Sequence, residues 1–296
     1  MKTLPDVDPR QLARAFSTRV VRGLSTPRPS MWSQQKLAPV ISLVDAAQPL
    51  SAAFEAAYAE LSRNYRCEYV YKTALINHAL RNDPAVNTIT GLPVFLSIAD
   101  LIVAGGAAAA AYEIKTDLDS FARLEDQLFS YSRCFEKVYL VASTARAHGC
   151  VDELPAHVGV LAIDDSTRVD EIRPAEGGHS RLEIATLFRV LRQDERIAIL
   201  ARQLDYTRDV PSGLLYRHTF ELFTELPLDI AYPEFVGEMC RRDSRQRAAV
   251  RQAALPTSLL AAAAGLSLSG VAWRRLGERL HRPISELAVA DDGQAA

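Results

Sequence analysis

Asp100, Glu113 and Lys115 stand within the largely apolar part of the stretch "ADLIVAGGAAAAAYEIKTDLDS", from Ala99 to Ser120, ahead of Asp117 and Asp119. A charge is costly to bury unless something pairs with it. Gly105-Gly106 reads as a hairpin turn. A turn centred on that pair sets Asp100 opposite Ala111 and makes Glu113 its diagonal neighbour, roughly 7–8 Å away. Side chains alternate with period two, so Asp100, Ala111, Glu113 and Lys115 share one face of the sheet. A three-residue loop would break that parity. Two carboxylates converging on one face repel each other, and a divalent cation relieves the repulsion. Oxygen ligands suit Mg²⁺ or Mn²⁺. Such an ion can activate a water and neutralise a phosphodiester transition state. Lys115 can polarise that water or stabilise developing negative charge. The structural alternative for Glu113 and Lys115 is an ion pair at the mouth of the sheet.

The elements that must position these groups can be read from periodicity. Residues 9–62 have helical spacing, with Asp8-Pro9 as cap and first helical position and a break at 25–33. "RCEYVYKTALINHAL" at 66–80 reads as a helix that ends before Pro84. The period then changes to two, giving a strand hairpin followed by "AAYEIKT" as the returning strand. A helix is expected from Asp117 or Asp119, with Asp as cap. "KVYLVAS" at 137–143 and "VGVLAID" at 158–164 read as buried strands. From about Arg181 onward the pattern is helical. The expected architecture is α/β, with an αβββαβ core over 63–170. A helical extension at 1–62 precedes it, an all-helical region at 180–290 follows, and a disordered tail at 291–296 ends the chain.

Composition excludes other classes. The chain has 296 residues, 48% of them apolar, which is enough for a sizeable core. Its net charge of −2 gives no global field for nucleic acid. Cys67, Cys134, Cys150 and Cys240 form no C-x-x-C pair, which argues against zinc and disulfides and for a reducing cytoplasm. No secretory h-region is visible. Residues 252–273 lack a formal charge but contain Pro256 and two glycines, so no membrane partner is expected. P-loop, zincin and serine-hydrolase motifs are absent.

"AD" followed across a hairpin by "EIK", then a helix and a strand, resembles the PD-(D/E)XK nuclease superfamily. "EYVYKTALINHAL", "YEIKTDLDSFARLEDQLFSYSRCFEKVYLV" and "SGLLYRHTFELF" resemble an uncharacterised bacterial family within it, over more than half the chain. The resemblance implies a restriction-endonuclease-like core. It implies magnesium at Asp100 and Glu113, with Lys115 as catalytic lysine. Ala99 stands where the superfamily's proline would be. Gln127 and Tyr131 point the same way at i and i+4 and resemble the Q-x-x-x-Y motif of RecB-like nucleases, although Tyr131 also fits a plain core position. Related nucleases supply a carboxylate from the first core helix, which makes Glu68 a third metal ligand. Its alternative is a surface pair with Lys72. The implied activity is magnesium-dependent hydrolysis of phosphodiester bonds, with DNA as the first candidate substrate and RNA as the second. The alternative is a catalytically inactive module of the same fold that binds DNA or protein.

Two further features bear on nucleic acid. Arg241, Arg242, Arg245, Arg247 and Arg251 surround one Asp243, a density that could clamp phosphates or simply line a solvated helix. "SLLAAAAGLSLSGVAWRRLGERL" has helix-turn-helix offsets but places Arg274 where an apolar residue belongs; a plain helical hairpin is the alternative. Neither a protein partner nor an oligomeric state can be read from the sequence.

Overall fold

Apolar residues three and four apart give way to alternation near Asn87, and the chain turns from helix to sheet there. The computed structural model describes residues 7–106 and 108–289, without the side chains at 32, 245, 246, 288 and 289. The tail expected at 291–296 lies outside the described residues. Helix α1 (Pro9–Ala15) starts where the Asp8 carboxylate accepts the Arg10 N–H at 2.9 Å. Then come α2 (Thr18–Leu24), α3 (Met31–Ile41), α4 (Leu50–Asn64) and α5 (Glu68–Asn82). The strands β1 (Asn87–Val94), β2 (Ser97–Gly105) and β3 (Ala108–Lys115) follow. Helix α6 (Leu124–Ser132), β4 (Lys137–Ser143), α7 (Thr144–Cys150), β5 (Gly159–Ile163) and β6 (Val169–Arg173) complete the sheet region. The rest is helical: α8 (Ile184–Val190), α9 (Gln193–Leu204), α10 (Ser212–Thr224), α11 (Leu228–Arg241), α12 (Ser244–Gln252), α13 (Leu260–Ala264), α14 (Gly270–His281) and α15 (Ile284–Val289).

The chain forms two units, each assembled from separated stretches. One takes Met1–His78, Asp165–Arg168 and Asp243–Ala296; the other takes Ala79–Asp164 and Val169–Arg242. The division read from the sequence runs linearly along the chain, and these units cut across it. The reason is physical: an amphipathic helix buries its stripe against whichever surface fits, however far away in sequence. In the helical unit Phe16 of α1 meets Phe54 of α4 edge-on at 5.4 Å. Trp273, Leu276 and Leu280 bury one side of α14. Leu50 N–H donates to Arg282 O and Ile284 N–H to Gln48 O, tying the start of α4 to the start of α15.

In the other unit all six strands form one mixed sheet in the order β1 to β6. β1–β2, β2–β3 and β5–β6 are antiparallel, whereas β3–β4 and β4–β5 are parallel. Parallel strands need helical crossovers, which α6 and α7 supply. Ile102, Ala104, Ala109, Ala111, Val138 and Leu140 on the strands pack with Leu128 and Tyr131 of α6, Phe188 of α8, and Phe235 and Met239 of α11. β6 was hidden in the sequence because "VDEIR" has the composition of a loop.

No described helix is long and apolar enough to cross a membrane. The uncharged run at 252–273 is broken up: α12 ends at Gln252, α13 has five residues, and α14 begins at Gly270.

Candidate active site

β3 carries small residues where it is covered and charged ones where it ends. Ala109 and Ala111 join the core, and Glu113 and Lys115 continue the same face. The hairpin partner sets what stands opposite. Gly105 pairs with Ala108, Ile102 with Ala111 and Leu101 with Tyr112. Extending that register by one rung puts Asp100 across from Glu113. The expected turn centred on Gly105-Gly106 is therefore corrected by one residue: two residues, 106 and 107, lie between the paired ends. Parity survives, and Asp100 becomes the direct neighbour of Glu113 instead of the diagonal one. Gly106 takes φ +58°, a conformation that glycine adopts without strain.

The ladder stops at this rung. The Ile114 N–H donates to Asp100 Oδ2 at 2.8 Å, so the carboxylate caps the strand end instead of a β2 carbonyl. On the other side, the β1–β2 register skips the rung between Thr90↔Leu101 and Leu92↔Ala99, where Gly91 sits at φ +65°. Asp100 is half-buried.

α6 closes the cluster. Gln127 and Tyr131, one turn apart, face the strands. Lys115 Nζ lies 2.9 Å from Glu113 Oε1 and donates to Gln127 Oε1 at 2.8 Å. The Tyr131 hydroxyl lies 2.7 Å from Glu113 Oε2 and 2.8 Å from the Ile98 carbonyl oxygen, so one hydrogen is shared between two acceptors. Glu113 is 2% exposed and Lys115 7%. Burial pushes the Tyr131 phenol well above its ordinary value, and the nearby Glu113 and Asp100 carboxylates add to that. Tyr131 therefore remains a protonated donor. An ammonium has three N–H groups; two on Lys115 are fixed by Glu113 and Gln127, which orients the third.

Asp100 and Glu113 are the two carboxylates here that could hold a divalent ion. Mg²⁺ keeps most of its waters and is held by one or two carboxylates plus substrate oxygens. Asp100 and Glu113 match that requirement, and Mn²⁺ accepts the same ligands. Among the described residues no group of three His, Cys, Asp or Glu side chains could hold a metal, so an ion caged wholly by protein has no match.

Other expected site residues are placed differently. Glu68, in the helical unit, is half-exposed and ion-paired with Lys72. α6 starts at Leu124, not at Asp117 or Asp119. Asp119 Oδ2 instead accepts the Thr116 N–H at 2.9 Å and its hydroxyl at 2.7 Å, and Asp117 accepts from Ser143 Oγ at 2.6 Å. The arginine run is in part committed within the fold. Arg242 is buried and grips Glu195 through Nε and Nη2 at 2.7 and 2.5 Å. Arg241 is paired with Glu238 at 2.8 Å. The Arg245 side chain lies outside the described residues, and Arg247 on α12 is half-buried. In the stretch with helix-turn-helix offsets, Arg275 donates to Ser25 O at 2.9 Å, and Arg279 donates to Leu24 O and Thr26 O. Two groups escaped the sequence entirely, the Ile98 carbonyl and the Ile114 amide. Both are backbone atoms, which no residue type announces.

The family model of bacteriophage P4 protein cII matches residues 62–220, more than half of the chain. The chain belongs to that family. In this member the matched region takes in Asp100, Glu113, Lys115, Gln127 and Tyr131 together, along with α8 and α9. No curated protein and no solved structure matches the chain.

Proposed function

We propose that the chain is a magnesium-dependent nuclease of the PD-(D/E)XK type, with DNA as its expected substrate. One observation carries this reading: a single hydrogen-bonded network joins Glu113, Lys115, Gln127 and Tyr131, with Asp100 across from Glu113. These side chains come from β2, β3 and α6. Packing alone does not require a buried carboxylate, ammonium and amide to converge at a strand end.

Asp100 and Glu113 would hold the ion. Magnesium, when bound, supplies charge neutralisation and a water of lowered pKa. Tyr131 holds Glu113 in one orientation by donating to Oε2. Gln127 and Glu113 hold Lys115 so that its remaining N–H points at the attacking water or at a non-bridging phosphate oxygen. In the hydrolysis a water oxygen bonds to phosphorus, a bridging P–O bond breaks, and the leaving oxygen takes a proton.

The test is cleavage of single- and double-stranded DNA with and without Mg²⁺. Asp100→Asn keeps an acceptor for the Ile114 amide, and Lys115→Arg keeps the charge. Each variant is expected to lose roughly 100-fold or more in rate. Wild-type cleavage that survives EDTA, or that persists in both variants, sinks the proposal. A second reading is a non-catalytic binding module of the same fold. It is favoured by Glu113 having both oxygens committed to Lys115 and Tyr131. Tight metal-independent DNA binding without cleavage would select it.

A further inference from the structure

The tip of the β1–β2 hairpin breaks two local rules at once. Val94 pairs with Ser97, leaving Phe95 and Leu96 as a two-residue turn. Such turns favour Asn, Asp or Gly, because they need positive φ. Here Phe95 takes φ +51°. Both turn side chains also face solvent, Phe95 at 43% exposure and Leu96 at 80%. On the strand beside them Ile98 is 61% exposed, and on α6 Phe129 is 49% exposed. The Phe95 and Phe129 rings lie 6.4 Å apart at 55°. The Arg133 guanidinium, paired with Glu183 at 3.0 Å, lies 4.3 Å over the Phe129 ring. A strained, solvent-facing aromatic turn is expected where a ligand compensates for it.

This patch is continuous with the carboxylate cluster. The Ile98 carbonyl takes a hydrogen bond from Tyr131, whose hydroxyl also holds Glu113. Phe129 is two residues from both Gln127 and Tyr131, so it presents a different face of α6 and joins the patch through the Phe95 ring. At about 3.3 Å per residue, Leu96 lies roughly 13 Å along the strand from Asp100. We infer that Phe95, Leu96, Ile98 and Phe129 form a stacking subsite for unpaired bases of a single-stranded nucleic acid that runs to the Asp100–Glu113 cluster; this rests on the nuclease reading.

Electrostatics favour a single strand over a duplex. Duplex binding draws its affinity from many Lys and Arg contacts to phosphate. The unit carrying the cluster has 16 Lys/Arg against 24 Asp/Glu, and its Arg241 and Arg242 are paired with Glu238 and Glu195. Base stacking on aromatic rings adds affinity beyond what backbone cations supply and is tolerant of sequence. Arg133 over Phe129 adds the one cation that such a platform uses.

The test uses the full chain without divalent ions, so that binding is read apart from cleavage. The probes are a dye-labelled 20-nucleotide oligo-dT, a 20-base-pair duplex, and an oligo-dT carrying one 2-aminopurine. The variant is Phe95→Gly with Phe129→Ala; glycine accepts the turn's positive φ, so the hairpin is retained, as circular dichroism checks. Expected are tighter binding of oligo-dT than of duplex, quenching of 2-aminopurine, and a loss in the variant of roughly 5- to 150-fold per base stack removed. Unchanged oligo-dT binding in the folded variant overturns the subsite, as does wild-type preference for the duplex. A change from dimer to monomer in the variant by light scattering, with oligo-dT binding intact, gives the patch to a second copy and also overturns it. Failure of the nuclease reading looks different: stacking persists while Mg²⁺ produces no cleavage.

Discussion

Replacing Lys115 by methionine removes the ammonium from a closed pair and keeps most of the side chain's volume. Glu113 is then left 2% exposed, with Tyr131 as its remaining donor at 2.7 Å. Breaking a buried pair from one side costs about 3–5 kcal/mol, because the other charge stays buried. Lys115→Met is therefore expected to lose about 3–5 kcal/mol at pH 7. Against a total stability of roughly 5–15 kcal/mol this is a large effect. The double variant Glu113→Leu/Lys115→Met removes both charges, and a buried pair exchanged for apolar groups is neutral or stabilising by about 1–4 kcal/mol. It should recover wild-type stability and still be inactive, which separates stability from chemistry. Urea unfolding followed by circular dichroism at pH 7 measures all of this. A Lys115→Met cost under about 1 kcal/mol would refute the closed pair. A double variant less stable than the single one would do the same.

Arg242→Ala should cost about 3–5 kcal/mol in urea unfolding by stranding the buried Glu195, with the salt dependence of DNA binding unchanged; a reduced salt slope without loss of stability would return Arg242 to phosphate contact. His157 gives a pH-dependent contribution. Burial holds its imidazole below the ordinary value, Arg181 and Arg173 push it the same way, and Glu176 opposes them. The folded protein thus favours the neutral ring, which lies 3.0 Å from Ser132 Oγ. The contribution is fully present above the unfolded value of about 6.5 and is lost as pH falls through the lower folded value. His157→Gln should flatten the urea midpoint between pH 7.5 and 5, and an unchanged slope there would count against it.

Much of this structure was legible in the sequence for identifiable reasons. Period-two alternation located β1 to β3, and β-branched runs located β4 and β5. Gln127 and Tyr131 could be assigned to one helical face by their spacing alone. The start of α6 could not, because Asp117 and Asp119 look like caps and only the fold shows Asp119 turned back onto Thr116. At Arg242 the arginine run was misleading for a similar reason. Charge density along a chain does not reveal whether an acidic partner, such as Glu195 for Arg242, arrives from 47 residues away.

The sequence by itself supplied the side-chain period of two, and the structure supplied the even-numbered turn. Together they put Asp100, Glu113 and Lys115 on one face, wherever the turn is centred. Only the tertiary structure decided the register, which advanced Asp100 from diagonal to direct neighbour of Glu113, and the burial that α6 imposes on them. It also decided which charges meet. Gln127 reaches Lys115 and Tyr131 reaches Glu113 because α6 lies across β2 and β3. Such contacts depend on the crossing of elements in space, and no one-dimensional spacing encodes them.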